Sequence, residues 1–447
     1  MTLAFPTPAE VAAQTSPDRD RAIDVIRIGS LLGVVVGHTV MATSIITDGV
    51  LHWDNLLTTS PVFQAATWIF QIMPLFFFAG AAASMASWRA DVSWGQWLMK
   101  RCARLFRPVF YYLTFWAVAL TVLRQVLPPH VYDPVAGVST QLLWFLGAYV
   151  LMLAAMPLLA RITTAAHLVT GVTVVYLAVA TVDAVRLTIP GWQALGFANL
   201  AVWLIPGMFG VAYRRGLLHR SGTLPAALAM LAVNVALVTL GPYSLSLVGI
   251  EGQRLTNMSP PSLLLAGHAI MMCCLIIAAI PAIGRWARQP RVWWLTAIGN
   301  SGAMTLYLWH MPALLGVHLL FDVTGHPRYP GRPDFLAISV VQLLLMAVLV
   351  AVLFVTLRPL ENNPLPGWDG PVAVSGARSV GVGILLCVAG IATLASVKWG
   401  LKDDGLYCVA VMVLALIGAR VLSARFRPSP PAGGSHSAAT LPEQIAG

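Results

Sequence analysis

Twelve apolar stretches, each about twenty residues long and poor in charge, follow one another along this chain of 447 residues. They run over 22–46, 62–87, 107–127, 140–160, 167–187, 193–213, 223–248, 261–283, 295–321, 335–357, 378–397 and 405–424. As helices rising about 1.5 Å per residue, each can cross roughly 30 Å of hydrocarbon. Only 10% of the residues are charged and 58% are apolar, with a mean hydropathy of +0.78. A soluble domain carries about a quarter charged residues. The composition therefore excludes a soluble globular enzyme, a disordered chain and a fibrous one, and no stretch of domain size is polar enough for a single-pass anchored protein. The short alternating segments of an outer-membrane barrel are absent from the sequence. The fold class is an all-α polytopic membrane protein.

The 27 basic and 17 acidic residues give a net charge of +10. Lys and Arg collect in cytoplasmic loops of membrane proteins, which explains the excess without nucleic acid as a partner. With the N-terminus placed inside, 20 basic residues fall in inside segments and 7 outside. The asymmetry predicts an even number of spans with both termini cytoplasmic, in a cell inner (plasma) membrane. Of the basic residues 24 are Arg, a bias that suggests a GC-rich, actinobacterial genome.

Residues 1–20 read as a cytoplasmic tail without the basic and apolar regions of a cleaved signal. Residues 21–358 form a ten-helix core, 359–377 a linker around ENNPLPGWDGP (361–371), 378–424 two further helices, and 425–447 a low-complexity, disordered cytoplasmic tail. No internal repeat is visible. The five cysteines (Cys102, Cys273, Cys274, Cys387, Cys408) lie in or beside apolar stretches with no CxxC, so neither a disulfide framework nor a metal site is expected.

Ionisable groups inside a membrane are costly and mark candidate sites. The first span, RAIDVIRIGSLLGVVVGHTV, carries Arg21, Asp24 and Arg27 at its cytoplasmic end and His38 deep in the apolar run. Arg27 and His38 are eleven residues apart, about 16 Å of rise and roughly three turns, which puts both on nearly one helix face. Such a pair suits a long ligand entering from the cytoplasm, with its anionic end on Arg27 and its reactive end at mid-membrane beside His38. Asp24, at i−3, is placed to pin the Arg27 guanidinium. The alternatives are an interfacial anchor for Arg27 and an interhelical hydrogen bond for His38. In KRCARLFRP (100–108), Arg101 and Arg104 share a face continued by Arg107. Guanidinium forks suit phosphates, although an amphipathic helix on anionic lipid would look the same. Pro74 in QIMPLFFFAGAAAS (71–84) can kink the second span. In NSGAMTLYLWHMP (300–312), Tyr307 and His310 share a face just before Pro312 and can line a cavity or simply pack. His268 reads as structural, and His318, His52 and His130 lie toward the outer side without forming a metal set.

Taken together, Arg27-x10-His38, MPLFFFAG (73–80), Arg101-x-x-Arg104, LWFL (143–146) and LYLWHMP (306–312) resemble, in order, the motifs of the membrane acyltransferase 3 family. The resemblance implies a ten-helix acyltransferase bundle that moves an acyl group, often acetyl, from cytoplasmic acyl-CoA to an envelope acceptor such as a glycolipid or polysaccharide. It makes His38 the essential residue, as general base or transient acyl carrier, and assigns Arg27, Arg101 and Arg104 to the donor site. A relative in this family is thought to acetylate trehalose monomycolate, which makes a trehalose mycolate a candidate acceptor. Tyr307 and His310 are expected to position the acceptor or stabilise an oxyanion. Where many members have a serine-glycine pair after the phenylalanines, this chain has AGAAAS. The competing reading, a lipid or sugar transporter, suits twelve helices but lacks an internal repeat and has few intramembrane carboxylates, Asp183 being the main one.

Overall fold

The computed structural model describes residues 5–89, 91–249 and 255–424, so the tail expected to be disordered (425–447) lies outside the described residues. In chain order the elements are α1 (Pro8–Ala13), α2 (Arg21–Met41), β1 (Ala42–Thr47), β2 (Val50–Asn55), α3 (Pro61–Phe70), α4 (Met73–Met85), α5 (Trp94–Val126), α6 (Pro129–Val138), α7 (Leu143–Ala154) and α8 (Met156–Leu159). They continue with α9 (Ala165–Thr188), a 3₁₀ stretch (Gln193–Trp203) leading into α10 (Leu204–Arg214), α11 (Arg220–Thr239), α12 (Leu263–Ala287), α13 (Pro290–Ser301), α14 (Ala303–Val323), α15 (Phe335–Asn362), α16 (Gly376–Ser396) and α17 (Asp404–Ser423). Among the described residues, twelve helical segments are long and apolar enough to cross a membrane, in the order expected; α3–α4, α6–α7 and the 3₁₀ stretch with α10 each make one crossing. This is an all-α polytopic membrane protein.

Burial sorts the spans. The α6–α7, α12 and α14 crossings are 72%, 67% and 67% buried, whereas α9, α11 and α15 are 17% buried. The first three form the centre and the last three the lipid-facing rim. The α2 helix lies between these extremes. Its Gly29, Leu32 and Val36 are exposed, while Arg27 and His38 occupy the opposite, inward side.

Several expected boundaries move, each for a local reason. The first span was expected to reach residue 46, but α2 stops at Met41 and residues 42–55 form an antiparallel hairpin. Asp48 (φ 53) and Gly49 (φ 76) make its two-residue turn, the left-handed geometry that Asp-Gly favours. The second span breaks at Gln71–Ile72, where Pro74 withholds an amide from the ladder. The ninth, expected over 295–321, divides at Gly302, where a Cβ would meet the Phe354 ring at 2.4 Å. The basic 100–108 segment is not a separate surface helix, since it belongs to the 33-residue α5.

The two C-terminal helices are built into the bundle. The α16 helix packs along α7 and α5, with α17 upon it. Glycine permits this: a Cβ on Gly147 would meet the Gly390 carbonyl at 2.6 Å, the backbone-to-backbone approach that small residues allow between membrane helices. The preceding segment docks as well, with Trp368 Nε1 donating to the Ala103 carbonyl at 2.8 Å.

Candidate functional site

Where α2, α5 and α14 begin, cationic side chains gather. Arg27 Nε donates to Asn300 Oδ1 at 2.7 Å. Asn300 Nδ2 in turn donates to the Asp24 and Thr296 carbonyls at 2.9 Å each. Asn300 therefore pins Arg27, and the expectation that the Asp24 carboxylate does so is corrected. That carboxylate takes both forks of Arg19, at 2.6 and 3.0 Å, because Arg19 lies just before the helix and can reach Asp24 without strain. Arg101 donates to Ser84 Oγ at 3.2 Å and to Ser87 Oγ, with Trp97 stacked 5.2 Å from its guanidinium carbon. Ser84 thus supplies a hydroxyl after the phenylalanine run. Arg27 and Arg101 lie within electrostatic range of each other and of Tyr149. Tyr149 sits against Gly80, where a Cβ would fall 2.4 Å from its hydroxyl. Two like charges brought together beside a phenol make a site for an anion. Arg104 is exposed beside it.

Arg107 departs from expectation. Its guanidinium grips Asp369 through two bonds of 2.5 and 2.6 Å and the Glu361 carbonyl at 2.8 Å. Its neighbouring turn of α5 faces the 363–375 segment, so it clasps that segment instead of facing a donor. Glu361 accepts from Met304 N, Thr305 N and Thr305 Oγ1, capping the start of α14. A separate pocket of about 300 Å³ opens at the start of α2, lined by Asp20, Tyr213, Arg214 and Arg220.

His38 lies in the last turn of α2, nearer that helix's end than the mid-membrane position expected of it. Its Nδ1 is 3.0 Å from Nε2 of His310, and the rings stack with centroids 5.2 Å apart. Nδ1 of His310 is 3.0 Å from the Leu306 carbonyl. A carbonyl only accepts, so His310 Nδ1 carries a proton, and in the neutral imidazole its Nε2 is bare. That bare nitrogen accepts from His38 Nδ1–H. The relay leaves the lone pair on His38 Nε2, the arrangement of a general base oriented by a second group.

The end of α2 that carries His38 is held from outside the helix. Arg328 Nη2 donates to the Val40 carbonyl at 2.9 Å, Arg328 Nη1 donates to the Ala42 carbonyl, and Gln342 Nε2 donates to the Thr39 carbonyl at 2.7 Å. These are carbonyls that a helix end leaves without partners. Burial pulls the Arg328 guanidinium down to about 10.

Tyr307 does not face this pair. Its hydroxyl donates to the Leu142 carbonyl, and that of Tyr112 to the Ser139 carbonyl at 2.8 Å. Both close the gap between α6 and α7, where helix bonds are interrupted, so the Tyr307 hydroxyl expected to meet an acceptor or oxyanion is bonded to the backbone there instead. His268 similarly meets the Gln71 carbonyl at 2.9 Å, at the break in the second span. Asp183 accepts from Arg186, Asn199, Tyr243 and Leu263 N at 3.2, 2.9, 3.1 and 2.8 Å; this carboxylate, the main intramembrane one, is engaged within the fold. Among the described residues, no three His, Cys, Asp or Glu side chains converge on a metal position, and all five cysteines are free.

Sequence reading brought out Arg27, Arg101, His38 and His310 but not Asn300, Glu361, Ser84 or Arg328. Asn300 was within reach, as the first residue of the 300–312 motif.

The fold and site together define a multi-pass membrane protein with a histidine pair eleven residues along α2 from a cationic cluster. The chain belongs to the acyltransferase 3 family: the family's model, described as an acyltransferase domain, matches residues 20–357. It is a membrane acyltransferase. No curated protein and no solved structure matches the chain.

Proposed function

We propose that the protein transfers an acyl group, acetyl in the simplest case, from cytoplasmic acyl-CoA to a hydroxyl of an envelope acceptor at the outer face. The acceptor class is a glycolipid such as a trehalose mycolate, or a polysaccharide. The membrane is the cell inner membrane and the termini are cytoplasmic, a reading supported by the 20-to-7 distribution of basic residues. The observation that carries the proposal is the His310-oriented lone pair on His38 Nε2, on the same helix face as Arg27.

In this reading Arg27 and Arg101 hold the anionic phosphates of the donor, with Asn300 and the Ser84 and Ser87 hydroxyls fixing the two guanidinium groups. The acyl-bearing arm runs along α2 for the about 16 Å between Arg27 and His38. His38 Nε2 takes the proton of the acceptor hydroxyl as its oxygen attacks the thioester carbonyl. The C–S bond breaks, and the proton passes from His38 to the departing thiolate, giving free CoA. His310 acts through His38, as a positioning residue. The same Nε2 lone pair also permits a transient acyl-imidazole, which hydroxylamine trapping in a single turnover would reveal.

The test is release of CoA from acetyl-CoA by the full chain in lipid, with His38→Ala and Arg27→Ala beside it. His38→Ala should lose about 10²- to 10⁴-fold in rate, the range of general-base catalysis, and Arg27→Ala should raise the apparent KM for acetyl-CoA. A wild-type protein that neither binds acetyl-CoA nor releases CoA overturns the proposal.

A further inference from the structure

Beyond the histidine pair, the outer end of α14 carries a second polar cluster that the transfer mechanism does not use. Ser44 Oγ, on β1, is 2.8 Å from His318 Nδ1 and 2.7 Å from Asp322 Oδ2. Ser44 N donates to the Arg328 carbonyl at 3.1 Å, which fixes the residue in place. Ser44 and Trp53 are cross-strand partners in the hairpin, so their side chains share a face. Trp53 meets the His318 ring edge-on, centroids 5.1 Å apart.

The bonding of this cluster is incomplete. His318 is 0% exposed, yet its Nε2 has no hydrogen-bond partner, and neither has the buried Asp322 Oδ1. Ser44 has one proton. If it donates that proton to the Asp322 carboxylate, it accepts from His318 Nδ1–H, and Nε2 of His318 carries a bare lone pair. Two buried acceptors in one cluster then lack donors, a costly arrangement until a donor arrives. The missing piece is a group that gives hydrogen bonds, as a sugar hydroxyl does.

We propose that Ser44, His318 and Asp322, beneath the hairpin that carries Trp53, form a binding subsite for a sugar hydroxyl. His318 lies eight residues beyond His310 on α14, about 12 Å along the helix. That is too far to touch the hydroxyl that His38 deprotonates and close enough to hold another hydroxyl of the same molecule. The identification of this molecule as the acceptor rests on the acyltransferase mechanism proposed above; the existence of the subsite does not.

Binding tests it directly. Maltose serves as a soluble probe, titrated calorimetrically into the full chain in lipid nanodiscs without any acyl donor. Wild-type protein should bind, and Ser44→Ala and His318→Gln should each weaken binding at least tenfold. Ser44→Ala removes a single oxygen atom and covers the case in which His318→Gln fails to fold; thermal unfolding of each variant is recorded alongside. In turnover with maltose as acceptor, the same substitutions should raise the acceptor KM by more than they lower kcat. Absence of maltose binding by wild type, or equal binding by folded variants, overturns the subsite and leaves the cluster a clasp for the hairpin. Binding of ethylammonium in place of maltose, lost in the same variants, overturns the hydroxyl assignment. Maltose binding through these residues in a protein that releases no CoA from acetyl-CoA would sink the acyltransferase mechanism and leave the subsite standing.

Discussion

In the proposed mechanism, His38 would owe its reactivity to the hydrogen bond its other nitrogen makes. With Leu306 fixing the His310 tautomer and His310 taking the proton of His38 Nδ1, the free lone pair is held at Nε2. Replacing His310 by Ala should lower the rate of CoA release about 10²-fold, the loss expected when a reacting group is misplaced by an ångström, while the KM for acetyl-CoA stays near the wild-type value. Asn300→Ala should do the reverse, raising that KM because Arg27 loses the 2.7 Å bond that aims it. Steady-state kinetics on both variants separates the two effects. Both histidines were legible in the chain, each being a polar group in an apolar run, but their contact was not. The two lie 272 positions apart and are brought together by helix packing, which leaves no trace in local spacing. For the same reason the nearest carboxylate in sequence, Asp24, was a poor guide to the partner of Arg27.

The α2 helix reaches its working position because its last turn is clamped. Arg328 and Gln342 satisfy the carbonyls of Val40, Ala42 and Thr39, and the hairpin closes over that end. Arg328→Ala would leave two buried carbonyls unpaired, at about 1–3 kcal/mol each. The variant should unfold at a lower temperature in lipid and should lose CoA release in the same preparation; a melting temperature equal to that of wild type would show that water replaces the guanidinium without loss. Hydropathy located this element but misjudged its end, because residues 42–46 are as apolar as a helix yet pair as a strand. The Asp48-Gly49 turn was the available signal, masked by the hydrophobic run on either side of it. The breaks in the second and fourth spans behave alike, since each exposes carbonyls that a distant His268, Tyr307 or Tyr112 then satisfies.

The two C-terminal helices belong to the working molecule. The α16 helix fills a groove formed by α5 and α7, and Arg107 on α5 grips Asp369 in the segment that leads to it. Burial alone would raise the Asp369 carboxyl, but the hydrogen bonds from Arg107 and the Leu365 amide, with the charges of Arg107 and Arg420, hold it below its ordinary value of 3.8. A carboxyl depressed by folding stabilises the native state above its ordinary value, and the contribution drains away as pH falls through the lowered one. Asp369→Asn should therefore lower the melting temperature at neutral pH and flatten its decline below pH 3.8. Ending the chain after Asn362 should yield protein that aggregates on extraction from the membrane, because it strips cover from Trp94, Gly147 and their neighbours; a monodisperse, active truncation would contradict this. Hydrophobic length, the inside excess of arginine and the spacing of Arg27 and His38 were readable in the chain, because each depends on residues near one another in sequence or on simple counts. The pairing of His38 with His310, the hold of Asn300 on Arg27, the outer Ser44–His318–Asp322 cluster and the docking of the last two helices came from packing. Each joins residues hundreds of positions apart, and such partners are chosen by which helix faces meet.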